Sequence, residues 1–155
     1  RFDTLVWDTL RRFDASRPVY VESESKKVGN VTVPVALIQR MHASPCIQLD
    51  LSNTERIELL LEDYSHLVQD TDYFCQRLDL MTDFRGKVVV QAWKDQVMAG
   101  DFRPVVQELL TQHYDPSYLK SIQRNFSLYG SAFCIEAADR SPTAMQNVAK
   151  TLIAR

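Results

Sequence analysis

The densest chemistry in the sequence lies in Val19-Tyr20-Val21-Glu22-Ser23-Glu24-Ser25-Lys26-Lys27-Val28-Gly29, where acids, hydroxyls, amines and a glycine follow an apolar triplet. If the strand begun by Val19–Val21 continues, Glu22 and Glu24 lie two apart and put both carboxylates on one face. A hydrophobic strand that ends in an acid and runs into a polar loop is how parallel α/β nucleotide-binding proteins hold a carboxylate against a magnesium-bound water. The same residues also suit a sheet rim on which the two glutamates pair with Lys26 and Lys27, and the pattern leaves both readings open. His113 and Tyr114 offer a base that titrates near neutral pH and a ring on which an extruded base could stack; they equally suit a helix-terminal pair packed on Asp115-Pro116. Lys120 and Arg124, four apart on a helix, could hold a phosphate backbone or form a solvated face. Arg40, Arg56 and Arg140 could bind phosphate or pair with the acidic middle of the chain. His42 and His66 have no partner spacing and read as surface or capping residues.

Other chemistry is missing. The phosphate loop G-x-x-x-x-G-K-[S/T] does not occur, and the four glycines cannot build a substitute. Cys46, Cys75 and Cys134 are odd in number and include no C-x-x-C pair, which suggests neither a zinc site nor a disulfide framework. They read as reduced, buried thiols of an intracellular protein, and none sits in a glycine-rich or basic loop that would lower its pKa. The net charge of −2 argues against a purely electrostatic nucleic-acid binder. Charge is unevenly spread: residues 1–43 and 115–155 are each +2 and residues 44–114 are −6, so the ends could supply basic surface if they meet. No apolar run approaches a membrane span and no signal peptide is visible, so a cytoplasmic location without membrane contact is expected. The chain opens on Arg1 rather than Met, as a fragment or processed chain would.

Positioning these groups requires strands and helices in alternation. Phe2, Leu5, Val6, Leu10 and Phe13 recur at helical spacing and predict an amphipathic helix that covers a sheet, with Arg11 and Arg12 in its last turn. A strand is expected over 18–24, a turn at Gly29-Asn30, and a helix from Pro34 to about Met41. Cys46–Leu51 alternates as a second strand. Ser52 and Glu55 have capping-box spacing before a helix carrying Ile57, Leu60, Leu61, Tyr64 and Leu67, with Glu58, Glu62 and Asp63 on its solvated face. Helices are expected over 72–82, 87–99 and 102–113, with Val88-Val89-Val90 the place where strand competes. Asp115-Pro116 reads as a cap and first position of a new helix facing Leu119, Ile122 and Phe126 inward. A last strand over 132–137 and a helix from Ser141-Pro142 complete the chain. The residues 1–155 thus predict a single α/β domain, with helices on the faces of a parallel sheet and a helical insertion.

The VYVESESKKVG segment, with Val33-Pro34, a helix ending Arg40-Met41 and then Ser44-Pro45-Cys46, resembles the carboxyl-terminal half of the bacterial tRNA 2-selenouridine synthase family. Leu60-Leu61-Glu62-Asp63-Tyr64, Leu109-Leu110-Thr111-Gln112-His113-Tyr114-Asp115-Pro116-Ser117-Tyr118 and Asp139-Arg140-Ser141-Pro142 extend the resemblance in order. The resemblance implies a partial P-loop-NTPase-like sheet, with a P-loop and a rhodanese-like domain bearing the catalytic cysteine in amino-terminal segments absent from this fragment. It implies an enzyme that replaces sulfur by selenium in the wobble 2-thiouridine of tRNA, using selenophosphate and passing through an intermediate geranylated from geranyl diphosphate, with magnesium a candidate at the diphosphate. Glu22, Glu24, Ser25, Lys26 and Lys27 are then expected on the diphosphate and magnesium side. Arg40, His113, Tyr114, Lys120 and Arg124 are candidates for tRNA contact, and the fragment is expected to be inactive alone. Two alternatives stand beside this reading: a non-catalytic RNA- or protein-binding α/β module, and part of a small-molecule kinase.

Overall fold

In the computed structural model, which describes residues 1–23 and 26–154, helix starts at Ser52, Asp70 and Ser141 are fixed by side-chain caps. The chain opens with helix α1 (Phe2–Leu10). Strands β1 (Lys27–Val28) and β2 (Val31–Thr32) form an antiparallel hairpin, Lys27 opposite Thr32. The turn between them uses Gly29 at φ +58°, a left-handed conformation that costs glycine no Cβ clash. Helix α2 (Val35–His42) begins after Pro34, and strand β3 (Ile47–Asp50) follows. Ser52 caps α3 (Asn53–Asp63) by accepting from the Glu55 N–H at 3.3 Å. After α4 (Ser65–Gln69), Asp70 caps α5 (Thr71–Asp79) by accepting from the Tyr73 N–H at 2.9 Å. Helices α6 (Thr82–Arg85), α7 (Lys87–Met98) and α8 (Phe102–Leu109) lead into a π turn (Leu110–Tyr114), α9 (Asp115–Asn125) and a 3-10 turn (Tyr129–Ser131). Strand β4 (Phe133–Glu136) and α10 (Pro142–Ile153) end the chain, with Ser141 capping α10 and Pro142 at its first position.

Two compact units result, residues 1–47 with 120–133, and residues 48–119 with 134–155. In the first, the His42 ring packs edge-on against Phe126 at 4.9 Å, and the Ser127 N–H donates to the His42 carbonyl at 3.2 Å. The strand expected over 18–24 is not formed in its described residues. Val19, Tyr20 and Val21 are about half exposed and lie in irregular chain. A three-residue β-branched run has propensity but gains stability only through cross-strand neighbours. The expected apolar stripe of α1 is only partly covered: Phe2 and Val6 are half-buried, Leu5 is 60% exposed, and the helix fully buries none of its residues.

The second unit holds the main core, and that core is helical. Phe74, Cys75 and Leu78 of α5 meet Val90, Trp93 and Val97 of α7 and Val105 of α8, with Leu67, Met81, Val89, Phe102 and Leu109 packed around them. Val88-Val89-Val90 lies in α7, where helix wins because Val90 sits three residues before Trp93 and seven before Val97, on the buried stripe. The Trp93 indole is almost fully buried and donates to Glu108 Oε2 at 2.9 Å, so its one polar atom is satisfied. Strands β3 and β4 pair in parallel: the Phe133 N–H reaches the Cys46 carbonyl at 3.0 Å and the Ala137 N–H reaches the Asp50 carbonyl at 2.8 Å, stepping in the same direction. A parallel pair needs a long crossover, and the helical block from α3 to α9 is that connection. The architecture is therefore α/β, mostly helical, with a small parallel sheet.

Asp115 does not cap a new helix. Its backbone is helical, φ −59° and ψ −49°, and its N–H bonds back to the Leu110 carbonyl, so α8, the π turn and α9 run on without a break. The cysteines also depart from the uniform burial expected of them. Cys75 is buried and Cys46 half-buried, but Cys134 is exposed, and all three are free thiols.

Candidate functional site

Open α/β sheets place ligand chemistry at the carboxyl ends of parallel strands. In the second unit that end carries Asp50, the last residue of β3. Its Oδ1 accepts from Gln48 Nε2 at 2.7 Å and its Oδ2 from the Cys134 thiol at 2.8 Å. These bonds, the thiol's first and the amide's second, hold the Asp50 carboxyl below the usual carboxylate range. The same contact works in reverse on Cys134, pushing the thiol up. An exposed thiol held in its protonated form is a poor nucleophile at neutral pH. Arg56, one turn into α3, forks onto Asp115 at 3.0 and 2.5 Å and also donates to Asn53 Oδ1 at 3.2 Å. Arg140 likewise joins Glu55 at 3.0 Å and Glu62 at 2.7 Å, both on α3. Of the two roles open to Arg56 and Arg140, both take the ion pair. The Asp50–Cys134 and Arg56–Asp115 contacts span 84 and 59 residues of sequence, so no local motif announces them.

The π turn makes a second concentration of chemistry in the same unit, and such turns inside α-helices recur at functional sites. Its cause is Pro116, which has no N–H to give the carbonyl four residues back and whose ring would clash with it. That carbonyl belongs to Gln112, and Arg85 Nη1 donates to it at 3.2 Å, replacing the bond proline cannot make. Arg85 Nη2 also bonds the Gln112 side-chain oxygen, while Arg85 Nε is buried and finds no acceptor among the described residues. The turn sets the His113 ring between two others, 5.5 Å from Phe84 and 5.3 Å from Tyr114, edge to face with both. His113 is half-buried and Tyr114 exposed. The signal available in sequence was Pro116 itself, one turn into an otherwise unbroken helical pattern.

The remaining candidates are more scattered. Glu22 sits in irregular, exposed chain rather than at a strand end, Lys26 just precedes β1 and Lys27 opens it. Glu24 and Ser25 lie outside the described residues. Arg40 is exposed in the last turn of α2, and Lys120 and Arg124 are exposed one turn apart on α9, flanking the inward Ile122. Among the described residues no three His, Cys, Asp or Glu side chains converge as a metal cage would require. Nor is any helix long and apolar enough to cross a membrane. A groove of about 320 Å³ opens in the second unit between Leu61, Ser65 and Val68 on one side and Asp101, Phe102 and Arg103 on the other.

A parallel strand pair with a helical crossover, and paired acids and arginines gathered near its carboxyl end, define an α/β domain. Comparison with known proteins narrows this. A family model described as tRNA 2-selenouridine synthase AAA domain matches residues 1–85, more than half of the chain, and the chain belongs to that family. A tRNA 2-selenouridine synthase of Cupriavidus necator is 44% identical over 63 residues, 40% of this chain and 17% of that protein. One from Cupriavidus pinatubonensis is 41% identical over 143 residues, 75% and 39% respectively, and one from Marinobacter nauticus is 28% identical over 133 residues, 69% and 36%. The chain spans less than half the length of these curated relatives. No solved structure matches it.

Proposed function

We propose that this chain is part of a tRNA-modifying transferase that replaces sulfur by selenium in wobble 2-thiouridine, using selenophosphate and a geranylated intermediate. The observation that carries the reading is the family match over residues 1–85. Relatives named tRNA 2-selenouridine synthase that align beyond that span support it. On this reading the β3–β4 pair is a remnant of a P-loop-like sheet, the protein is cytoplasmic, and the chain alone is inactive, because the phosphate loop and a rhodanese-like catalytic cysteine belong to other segments.

Glu22, Glu24, Ser25, Lys26 and Lys27 then serve the diphosphate of the geranyl donor, the lysines by neutralising its charge. Magnesium is a weaker fit. The described residues bring together no carboxylate cluster, and Glu22 by itself could meet the ion only through one oxygen or a water, so no step is assigned to the metal. Arg40, His113, Tyr114, Lys120 and Arg124 serve tRNA, the cations on phosphates and the two rings on bases.

The test is binding of unmodified and 2-thiouridine-bearing anticodon stem-loops to the protein carrying this chain, across a salt series, for wild type and for the double substitution Lys120→Ala, Arg124→Ala. Loss of two phosphate contacts should weaken binding at every sequence and flatten the slope of log K against log salt by roughly 1.5. Binding that is absent at low salt, or indifferent to both substitutions, removes tRNA recognition from α9. Geranylation that survives Glu22→Ala with Glu24→Ala removes the donor role from the first segment.

A further inference from the structure

We propose that Phe84, His113, Tyr114 and Tyr118 form a stacking platform for unpaired nucleobases of an RNA loop. The proposal rests on the reading that RNA is the partner and adds where, and by what chemistry, a base is held. Phe84 is 70% exposed at the end of α6, and Tyr114 and Tyr118 are 59% and 60% exposed. Tyr114 and Tyr118 are four residues apart on a continuous helix, so they share a face one turn apart. Large rings contribute most to a fold when buried, yet three of them are displayed together within this one unit.

Their backbone is held firmly. The imidazole of His113 stands edge to face between the Phe84 and Tyr114 rings, and the π turn beneath it is pinned by Arg85 on both carbonyl oxygens of Gln112. Rings fixed in this way present π faces at little conformational cost, which suits a flat partner. The polar edges point to the same occupant. The His113 imidazole and the Tyr114 hydroxyl can meet the hydrogen-bonding edge of a base, a use that an aliphatic protein or lipid surface does not have for them. Lys87, exposed at the start of α7 three residues beyond Phe84, supplies a cation for the adjoining phosphate. The Asp115 carboxylate would repel that phosphate but is neutralised by Arg56, which leaves exposed Asp83 as the opposing charge beside Phe84.

The experiment is photocrosslinking of an anticodon stem-loop carrying 5-iodouridine in its loop to the protein that contains this chain, with crosslinked residues mapped by mass spectrometry. Tyr114→Leu, Tyr118→Leu and Phe84→Leu keep apolar volume and remove the π face; Tyr114→Phe keeps the face. Crosslinks are expected on these rings. The Leu variants at 84 and 114 should lower the yield and weaken binding about ten-fold, with the salt slope unchanged because stacking releases no counterions. Tyr114→Phe should restore both. Every variant should stay folded, its melting curve displaced by no more than one exposed ring pair accounts for. Crosslinks that persist in the Leu variants, or that map elsewhere, overturn the platform. So does a change in self-association with RNA binding intact, which would mark the patch as a protein contact. A wild type that binds RNA without these crosslinks defeats this inference alone; one that binds no RNA defeats the proposed function with it.

Discussion

Replacing Trp93 with Phe should destabilise the second unit by about 2–3 kcal/mol. The indole N–H gives Glu108 a 2.9 Å bond from a nearly fully buried position. A hydrogen bond to a charged acceptor is worth about 1.5–3 kcal/mol net, and Glu108 is only half-buried, so water takes up part of that loss and the low end applies. The smaller ring leaves a void of roughly 40 Å³, which at about 24 cal/mol per Å³ adds about 1 kcal/mol. For a chain of this size the sum lowers Tm by roughly 5–10 °C. Urea denaturation followed by far-ultraviolet circular dichroism avoids interference from the second tryptophan, Trp7, which is exposed. Wild type, Trp93→Phe, Glu108→Ala and the double variant form a cycle, and a coupling of about 1–2 kcal/mol is expected. A coupling below about 0.5 kcal/mol, or a Trp93→Phe protein as stable as wild type, would refute the claim that this bond and this ring hold α7 to α8.

Gly86→Ala should cost about 1–3 kcal/mol in a thermal melt, because its φ of +82° with ψ of 155° lies in a region that is essentially glycine's alone. Gly86 holds φ +82°, and an added Cβ would touch nothing within 4 Å, so the loss is purely conformational. Alkylation of Cys134 by iodoacetamide, followed residue by residue, should be slower than for a free cysteine despite its exposure, and Asp50→Asn should speed it by removing the carboxylate that keeps the thiol protonated. Buried Cys75, pushed up by burial instead, should ignore that substitution. The depressed Asp50 carboxyl contributes stability that is complete above its unfolded value of about 3.9 and disappears as pH falls through its lower folded value; Asp50→Asn should therefore flatten the acid limb of a stability profile below pH 4. Arg140→Met should lower Tm at low salt and less so in 1 M NaCl, because its pairs with Glu55 and Glu62 are partly exposed and screenable.

Features encoded within one or two turns of chain were legible in the sequence. Ser52 with Glu55, Ser141-Pro142, the Gly29-Asn30 turn and the alternation of Cys46–Leu51 each specify their own geometry, and the structure places α3, α10, the hairpin and β3 accordingly. What depended on partners was not. Val19–Val21 reads as a strand because its residues favour one, but a strand exists only where another lies beside it. Asp115 reads as a cap because Asp-Pro commonly opens a helix; Arg56, 59 residues earlier, uses its carboxylate instead. The Asp50–Cys134 contact joins two strands that were each visible in the sequence, but whose pairing was not.

A π turn is an α-helix with one residue too many, and that surplus makes the Leu110–Tyr114 stretch a register lock. Each residue of an α-helix carries about 100° of rotation. A relative shorter by one residue here would feed α9 in at a different register, and its dial would turn by that angle. Asp115 would swing away from Arg56, and Tyr118 would turn with it. Indels within this short window are thus far less neutral than their effect on helicity suggests, and the length of the stretch can be expected to drift less than its residue types.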